Sequence, residues 1–538
     1  AGYSYLTQQD MRLNPEHPPL IKDLAALPLL FLEGIKFPYD IKAWRDDVNG
    51  QWDFGSQLLF HSGNPTEEMI FLGRLPMVLV LLFLGFFVFW WSKKLWGSGI
   101  ALLVLFLFSF SPTLLAHGRL VTTDVGAAAG IALAVYSFLN FLEKSSFKNI
   151  LGAGLVLGLA LLTKFSTILL LPFFGFLIVL WSLIIPSTWR NRFFSFVVTC
   201  LKFVPILIVA SVAVWLFYAF HVWRYPPARQ LSDTSYMMSS NPIQPLRQLV
   251  PALVNFPVLR PWAQYLLGLS MVFQRGSGGN TTYFLGEVAS TGWKSYFPIV
   301  YAIKEPLAFF CLLLLGLGAF IKKGFSFEKK KHFTELALFL FVVFYWLFTL
   351  SGNLNIGVRH LLPIFPLTIM LVASSVSLWL KPPLFRARVA VLVFLLAWQA
   401  FSVLSVYPSF LAYFNELAGG PDQGYLRVVD SNIDWGQDLK RLNIWLTEQK
   451  IDKIYVDYFG GSDVNYYLGT RFLPWHSHFP WQDMTQSKYL AISATYLQSQ
   501  RALPVKGFSG RTDQYLWLDD RAGFVTKIGY SIFVYRLK

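Results

Sequence analysis

Charge is scarce in this chain. Only 14% of the 538 residues are Asp, Glu, Lys or Arg, against about 25% in a soluble domain. That excludes an ordinary soluble globule, and 55% hydrophobic residues point to a polytopic membrane protein. Cysteine is almost absent. Cys200 and Cys311 stand far apart in apolar runs, so a disulfide framework, a CxxC redox motif and a Cys/His zinc knuckle are all excluded. No internal repeat and no low-complexity tract is present. Acids are fewer than bases, which leaves a formal charge of +15. An excess of that sign fits nucleic acid or an anionic membrane surface. The bases fall between apolar runs, which selects the membrane and argues against nucleic acid.

Ten apolar runs are long enough to predict helices crossing a bilayer, at 74–92, 98–116, 123–142, 149–163, 166–184, 196–218, 298–321, 333–351, 361–380 and 389–406. Every second loop is basic. Lys93 and Lys94, Lys144 and Lys148, Arg190, Arg192 and Lys202, "IKKGFSFEKKKH" at 321–332 and "KPPLFRAR" at 381–388 share one side. The positive-inside rule makes that side cytoplasmic. Residues 1–406 then form the membrane domain, with outward loops at 1–73 and 219–297. Residues 407–538 form an outward α/β domain. It contains one helix signal in "GQDLKRLNIWL" and strand-like runs "KIYVDYF", "KYLAISATYL" and "YSIFVYRL".

Polar groups gather at the outward ends, where the sidedness rule does not call for them. They are Arg12, Glu16, His17 and Lys22; His117, Arg119 and Asp124; Lys164; Lys304 and Glu305; and Arg359 and His360. Ionisable groups at membrane depth cost about 2.5–3.5 kcal/mol on insertion scales and usually serve a ligand or a pathway. Lys164 and Arg119 taken singly also fit snorkelling. Taken together, mostly cationic groups at one depth suit an anionic lipid headgroup. In "RLNPEHPPLIKDLAALPLLFLEG", Pro18 and Pro19 suit a first helical turn, and Leu20, Leu24, Leu27 and Phe31 make a stripe. Glu16 and His17 then precede a helix N-terminus, where free amides favour phosphate; an interfacial anchor with a polar cap is the plainer reading. In the tail, Asp434 and Gln437 are spaced as a capping box for a helix over 435–446, with Leu439, Leu442 and Leu446 on its buried face. Asp430 and Asn432 have no such structural reason and are candidates to touch an acceptor. In "LGEVASTGW", Gly286, Glu287 and Trp293 read as an ordered loop. Glu287 is a candidate for sugar hydroxyls, and Trp293 for sugar stacking or membrane anchoring.

The motifs "RLNPEHPPLIK", "SPTLLAHGRLVTTDVGAA", "LLTKFS", "YFLGEVASTGW", "NIGVRHLLP" and "DSNIDWGQDL" occur in that order. Together they resemble bacterial polyprenyl-phosphate-dependent glycosyltransferases of the GT-C fold, such as protein O-mannosyltransferases and the lipid A aminoarabinose transferases. The resemblance implies a sugar donor on a polyprenyl phosphate, a protein, lipid or glycan acceptor, and transfer with inversion at the outer face of a bacterial cytoplasmic membrane. Glu16 matches an acidic position that holds a metal ion in the aminoarabinose branch, so a divalent ion is the one cofactor implied. His17 matches a basic position on the lipid phosphate, and Asp124 an acid beside the active site. Lys164, Arg359 and His360 are candidate phosphate ligands. The resemblance also implies a membrane helix and a catalytic acidic pair ahead of residue 1, leaving Asp10, the nearest acid within this sequence, as the candidate replacement base beside Asp124. A transporter or flippase of a lipid-linked anion is the alternative; it should show broken helices and ionisable groups near mid-membrane.

Overall fold

The computed structural model describes residues 1–184, 188–323, 332–382 and 384–538. Among the described residues, seven helices are long and apolar enough to cross a membrane: Thr66–Trp96, Thr123–Glu143, Phe165–Ile184, Trp189–His221, Phe333–Ser351, Val358–Trp379 and Phe385–Leu404. Two shorter apolar helices, Ser98–Ser109 and Phe147–Leu161, lie among them. An eighth span counts only if Tyr296–Lys304 and Leu307–Lys323 are taken together. All ten expected segments are therefore helical, in the expected order.

Three of them differ in detail. The segment at 298–321 is not one rod, because its two helices meet at 109°. Pro306 explains the break: it has no amide hydrogen and forces its predecessor out of the helical region, and Glu305 is extended at φ −110°, ψ 153°. The segment at 98–116 stops at Ser109, and Ser111 caps a separate helix, Pro112–His117, by accepting from Leu114 N at 3.4 Å. The sixth span starts at Trp189, so Arg190, Arg192 and Lys202 ride on the helix itself. Positions 324–331 of the basic 321–332 loop, and Pro383, lie outside the described residues.

The helix Thr123–Glu143 sits at the centre, 78% buried over its apolar window. Its small residues make this possible. A Cβ on Gly130 would lie 3.0 Å from Ala160 Cα, and one on Gly126 would lie 2.2 Å from Ile21 Cδ1. The peripheral helices Trp189–His221 and Phe385–Leu404 are only 22% and 17% buried, as expected for helices with lipid around them. Successive helices alternate direction. Lys93, Lys94, Lys144, Lys148, Arg386 and Arg388 thus mark one end of the bundle, while Asp124, Lys164, Arg359 and the start of the tail share the other.

Eight strands are present among the described residues: β1 (Thr282–Phe284), β2 (Glu287–Ala289), β3 (Ile454–Asp457), β4 (Phe472–Pro474), β5 (Tyr489–Ser493), β6 (Leu503–Val505), β7 (Ala522–Ile528) and β8 (Ile532–Leu537). The tail sheet runs β4-β3-β5-β8-β7, parallel among β4, β3 and β5 and antiparallel from β5 to β8 and β7. Leu439, Leu442 and Leu446 pack on its Ile454, Val456, Ala491 and Val534. The tail is also welded to the 219–297 segment. β2 pairs in parallel with β6, Glu287 opposite Leu503, and Leu285 N donates to Arg427 O at 2.8 Å.

Candidate active site at the Asp124 end

The Pro-Pro segment reaches the centre of the protein through close packing. Pro18 and Pro19 precede the helix Leu20–Ala26 rather than lying inside it. Ile21 sits on Gly126, Leu20 N donates to Leu162 O at 3.2 Å, and Asp23 Oδ2 meets His221 Nε2 at 2.8 Å. The expected Leu stripe is the outer face, with Leu27 and Phe31 exposed. Lys22 folds back under the loop, its Nζ donating to the carbonyls of Asn14 and His17 at 2.7 Å each. Burial pulls the Lys22 ammonium down to about 7, against the pull of Asp23 and Glu16. Lys22 is thus the brace that gives "NPEH" its shape.

Asp124, at the start of its helix, is almost fully buried. Its Oδ1 accepts from Lys164 Nζ at 2.6 Å and its Oδ2 from Arg359 Nη1 at 3.2 Å. The cations come from separate elements. Lys164 is the extended residue between two helices, and Arg359 opens the Val358–Trp379 segment. His17, His117 and His360 stand within electrostatic reach of all three charges. Burial first, then Lys22 and Lys164, push the His17 imidazole down to about 3, so it is neutral at pH 7. His17 Nδ1 and His117 Nδ1 are buried without a hydrogen-bond partner among the described residues.

The tail closes this cluster. Arg359 Nε donates to Ser431 Oγ at 3.3 Å, and its guanidinium lies over the Trp435 ring, 4.9 Å from the centroid. His117 meets the same indole edge-on at 5.7 Å. Asn432 Oδ1 accepts from Val358 N at 3.0 Å, while Asn432 O accepts from Lys304 Nζ at 2.7 Å. Lys304, two residues before the helix-breaking proline, also donates to Leu411 O and Tyr413 O. The break is thus sealed against the tail.

The capping-box reading of Asp434 fails. The helix starts at Leu439, because Asp434 Oδ1 accepts from Gly436 N and its Oδ2 from Thr495 Oγ1. Burial raises the Asp434 carboxyl well above its usual range. Gln437 serves Ile433 O and Trp435 N instead. Asp430 is in the left-handed region at φ 56°, with burial raising its carboxyl; Arg359 and Arg275 are its charged neighbours.

Arg275 is a residue that sequence reading did not single out. The helix Arg260–Gly278 packs so closely that a Cβ on Gly268 would lie 2.1 Å from Pro15 O, and this brings Arg275 Nη1 to Glu16 Oε1 at 2.6 Å. The only signal was a cation in the last turn before "GSGG", which reads equally well as a dipole partner. A cavity of about 600 Å³ opens here, lined by Glu16, Tyr236, Met237, Met271, Gln274 and Arg275.

Several candidates fall elsewhere. Asp10 is locked to the Arg12 guanidinium, which stacks on Trp44, and it does not join the Asp124 cluster. Glu287 is half-buried in β2 and makes no hydrogen bond or ion pair with the cluster. Trp293 is 9% exposed with Lys506 over its ring, so it neither anchors in lipid nor presents a face to sugar. A metal ion at Glu16 is not supported by its surroundings. The carboxylate already has Arg275, and among the described residues no group of three or more His, Cys, Asp or Glu is arranged to hold a metal.

Comparison with known proteins agrees with the sequence motifs. Residues 66–215 match the family described as dolichyl-phosphate-mannose-protein mannosyltransferase. No curated protein matches the chain. Among solved structures, ArnT from Cupriavidus metallidurans in the apo state aligns over 99% of this chain and 91% of its own, at 12% identity and a TM-score of 0.29. The same protein bound to undecaprenyl phosphate aligns over the same shares at 11% identity and a TM-score of 0.26. Over residues 66–215 the chain is thus similar to that mannosyltransferase family, in line with the resemblance of its motifs.

Proposed function

We propose that this protein is a glycosyltransferase of a bacterial cytoplasmic membrane. It moves a sugar from a polyprenyl-phosphate carrier to an acceptor hydroxyl on a protein, lipid or glycan, with inversion, at the outer face. One observation supports this above the rest: Lys164 and Arg359 converge on Asp124 in a buried cluster at the end away from the basic loops. The leaving group of such a transfer is a phosphate anion. Fixed cations in a water-poor site stabilise the charge that grows on it as the bond between the anomeric carbon and the phosphate oxygen breaks. Each cation spends only part of its N–H set on Asp124, so both keep donors for a phosphate.

Asp124 is the positioning group. A carboxylate shared by two cations is a weak base, and its work is to hold Lys164 and Arg359 in register. His17, neutral in its buried position, serves the phosphate as an N–H donor. The acceptor hydroxyl attacks from the face opposite the phosphate and loses its proton to a carboxylate whose affinity for it has been raised. We assign that carboxylate as Asp430, because burial raises its affinity for a proton in spite of Arg359 and Arg275. Glu287 and Asp10 have no part in this scheme, and His360 lines the site beside Lys164 and Arg359.

The test uses full-length protein in vesicles loaded with polyprenyl-phosphate-linked sugars. Release of polyprenyl phosphate with formation of an inverted glycoside, lost in Lys164→Gln and Arg359→Gln, is the expected result. Passage of the intact lipid-linked sugar between leaflets without transfer would establish the transporter instead. The break at Pro306 does not favour that alternative, since it lies at the Asp124 end and is bonded to the tail.

A further inference from the structure

Three arginines stand on neighbouring elements at the same end of the bundle, where Gly118 packs on Leu81 and Lys440 pairs with Glu67, and none of the three pairs with Asp124. Arg74 stands near the start of Thr66–Trp96. Arg119 follows the helix Pro112–His117 on a turn seated against the same long helix, where a Cβ on Gly118 would fall 2.3 Å from Leu81 Cδ2. Arg441 lies in the first turn of Leu439–Glu448, its Nη1 donating to Ser409 Oγ at 2.8 Å and to Asp438 Oδ1 at 2.9 Å.

The charges do not balance. Burial first, then Arg74 and Arg441, lower the Arg119 pKa against the pull of Asp438 and Tyr407. Neither Arg74 nor Arg119 makes a hydrogen bond or ion pair among the described residues. Asp438, the acid nearby, is already shared among Arg441, Ser531 and Gln437. Snorkelling explains one arginine at an interface, but it does not explain three drawn together by separate elements. Beside Arg74, Phe71, Leu75, Leu79, Leu82 and Phe86 form one exposed apolar stripe along the helix, at 63%, 40%, 64%, 62% and 65% exposure. A cationic head above an apolar track matches an amphiphile with a phosphate headgroup and acyl chains. Arginine's planar fork suits phosphate in particular.

We propose that Arg74, Arg119 and Arg441 form a second anion site, which holds the phosphate headgroup of an anionic membrane lipid with its chains along the Phe71–Phe86 face. The site is independent of the transfer reaction and would stand if that reading failed.

Native mass spectrometry of the delipidated full chain, titrated with phosphatidylglycerol, phosphatidylcholine or inorganic phosphate, tests it. Wild-type protein should prefer phosphatidylglycerol over phosphatidylcholine. The Arg74→Gln/Arg119→Gln variant should reduce that preference roughly thirtyfold, because each basic residue near an anionic membrane surface contributes about fivefold. Arg119→Lys, which keeps the charge without the fork, should retain most of it. Arg441 is left in place because it braces Asp438, and unchanged thermal unfolding of the double variant excludes misfolding as the cause. Equal binding of the two lipids, or full selectivity in the double variant, would overturn the proposal. Inorganic phosphate binding as well as phosphatidylglycerol would also overturn it, in favour of a soluble anion.

Discussion

The Arg359 guanidinium lies 4.9 Å above the Trp435 ring. Arg359 belongs to a membrane helix segment and Trp435 to the tail, so one contact joins the two parts of the chain at the cation that also holds Asp124. The tail is therefore part of the candidate site. Ser431 and Asn432 add to the same junction, one on the Arg359 side chain and the other on the amide just before it.

Removing the indole tests this junction. A partly desolvated cation–π contact contributes about 0.5–2 kcal/mol. Trp435→Ala should leave the fold intact, weaken donor use several-fold through KM, and spare turnover at saturating donor. Trp435→Phe should recover most of the loss. Steady-state kinetics with the lipid-linked donor supply the readout, and an unchanged KM in the alanine variant would remove Trp435 from the site.

Asp124→Asn leaves Lys164 and Arg359 without their shared carboxylate. Breaking a buried pair typically costs about 3–5 kcal/mol; Lys164 and Arg359 keep side-chain exposures of 13% and 21%, so the low end applies. Sugar transfer should fall by at least about tenfold. A thermal melt run alongside separates lost stability from lost catalysis. Wild-type turnover would end the positioning role.

Much of this arrangement was legible in the sequence. Glu16, His17, Asp124, Lys164, Arg359 and His360 were all marked as ions or imidazoles where sidedness gave no reason for them, and the fold brings them to one region. The signal was strong because charge near lipid is costly. What stayed hidden depended on tertiary choices. Asp434 precedes the helix at cap spacing, but Thr495, in the distant helix Ala494–Ser499, holds its carboxylate away, and Ser531, in the turn between β7 and β8, takes that of Asp438. Arg275 looked like one more base in a long loop until Gly268 let its helix close on Pro15. Lys304 was marked at an outward end, but its partners were not legible, since its acceptors are carbonyls of a segment more than a hundred residues away.

The pH dependence of His17 has a definite sign. Its folded pKa lies near 3, below the 6.5 of the free imidazole, so between those values the unfolded chain binds the proton and the folded protein does not. The contribution of His17 to stability is therefore fully present above about pH 6.5 and declines as pH falls toward about 3. His17→Gln, which keeps an N–H donor but cannot titrate, should flatten that part of the stability–pH curve while preserving donor use. His17→Ala should weaken donor use at pH 7. Identical acid limbs in wild type and His17→Gln would mean that the imidazole is not buried as described.

Gly357 offers the last test, because it sits where backbone conformation and tail packing meet. Its φ is +136°, a region that side chains rarely adopt, and a Cβ there would lie 2.3 Å from Ser431 Oγ. Ser431 also donates to the carbonyl of Ile356, so it has no room to retreat. Gly357→Ala should therefore destabilise the protein by about 1–3 kcal/mol through strain and displace the Ser431 hydroxyl from Arg359. The effect should appear in donor KM as well as in the melt. Gly357→Ala/Ser431→Gly removes the clash but not the strained backbone, so it should restore part of the stability and none of the lost Arg359 contact. If the double variant regained full donor affinity, the Ser431 bond would have no bearing on how Arg359 is aimed.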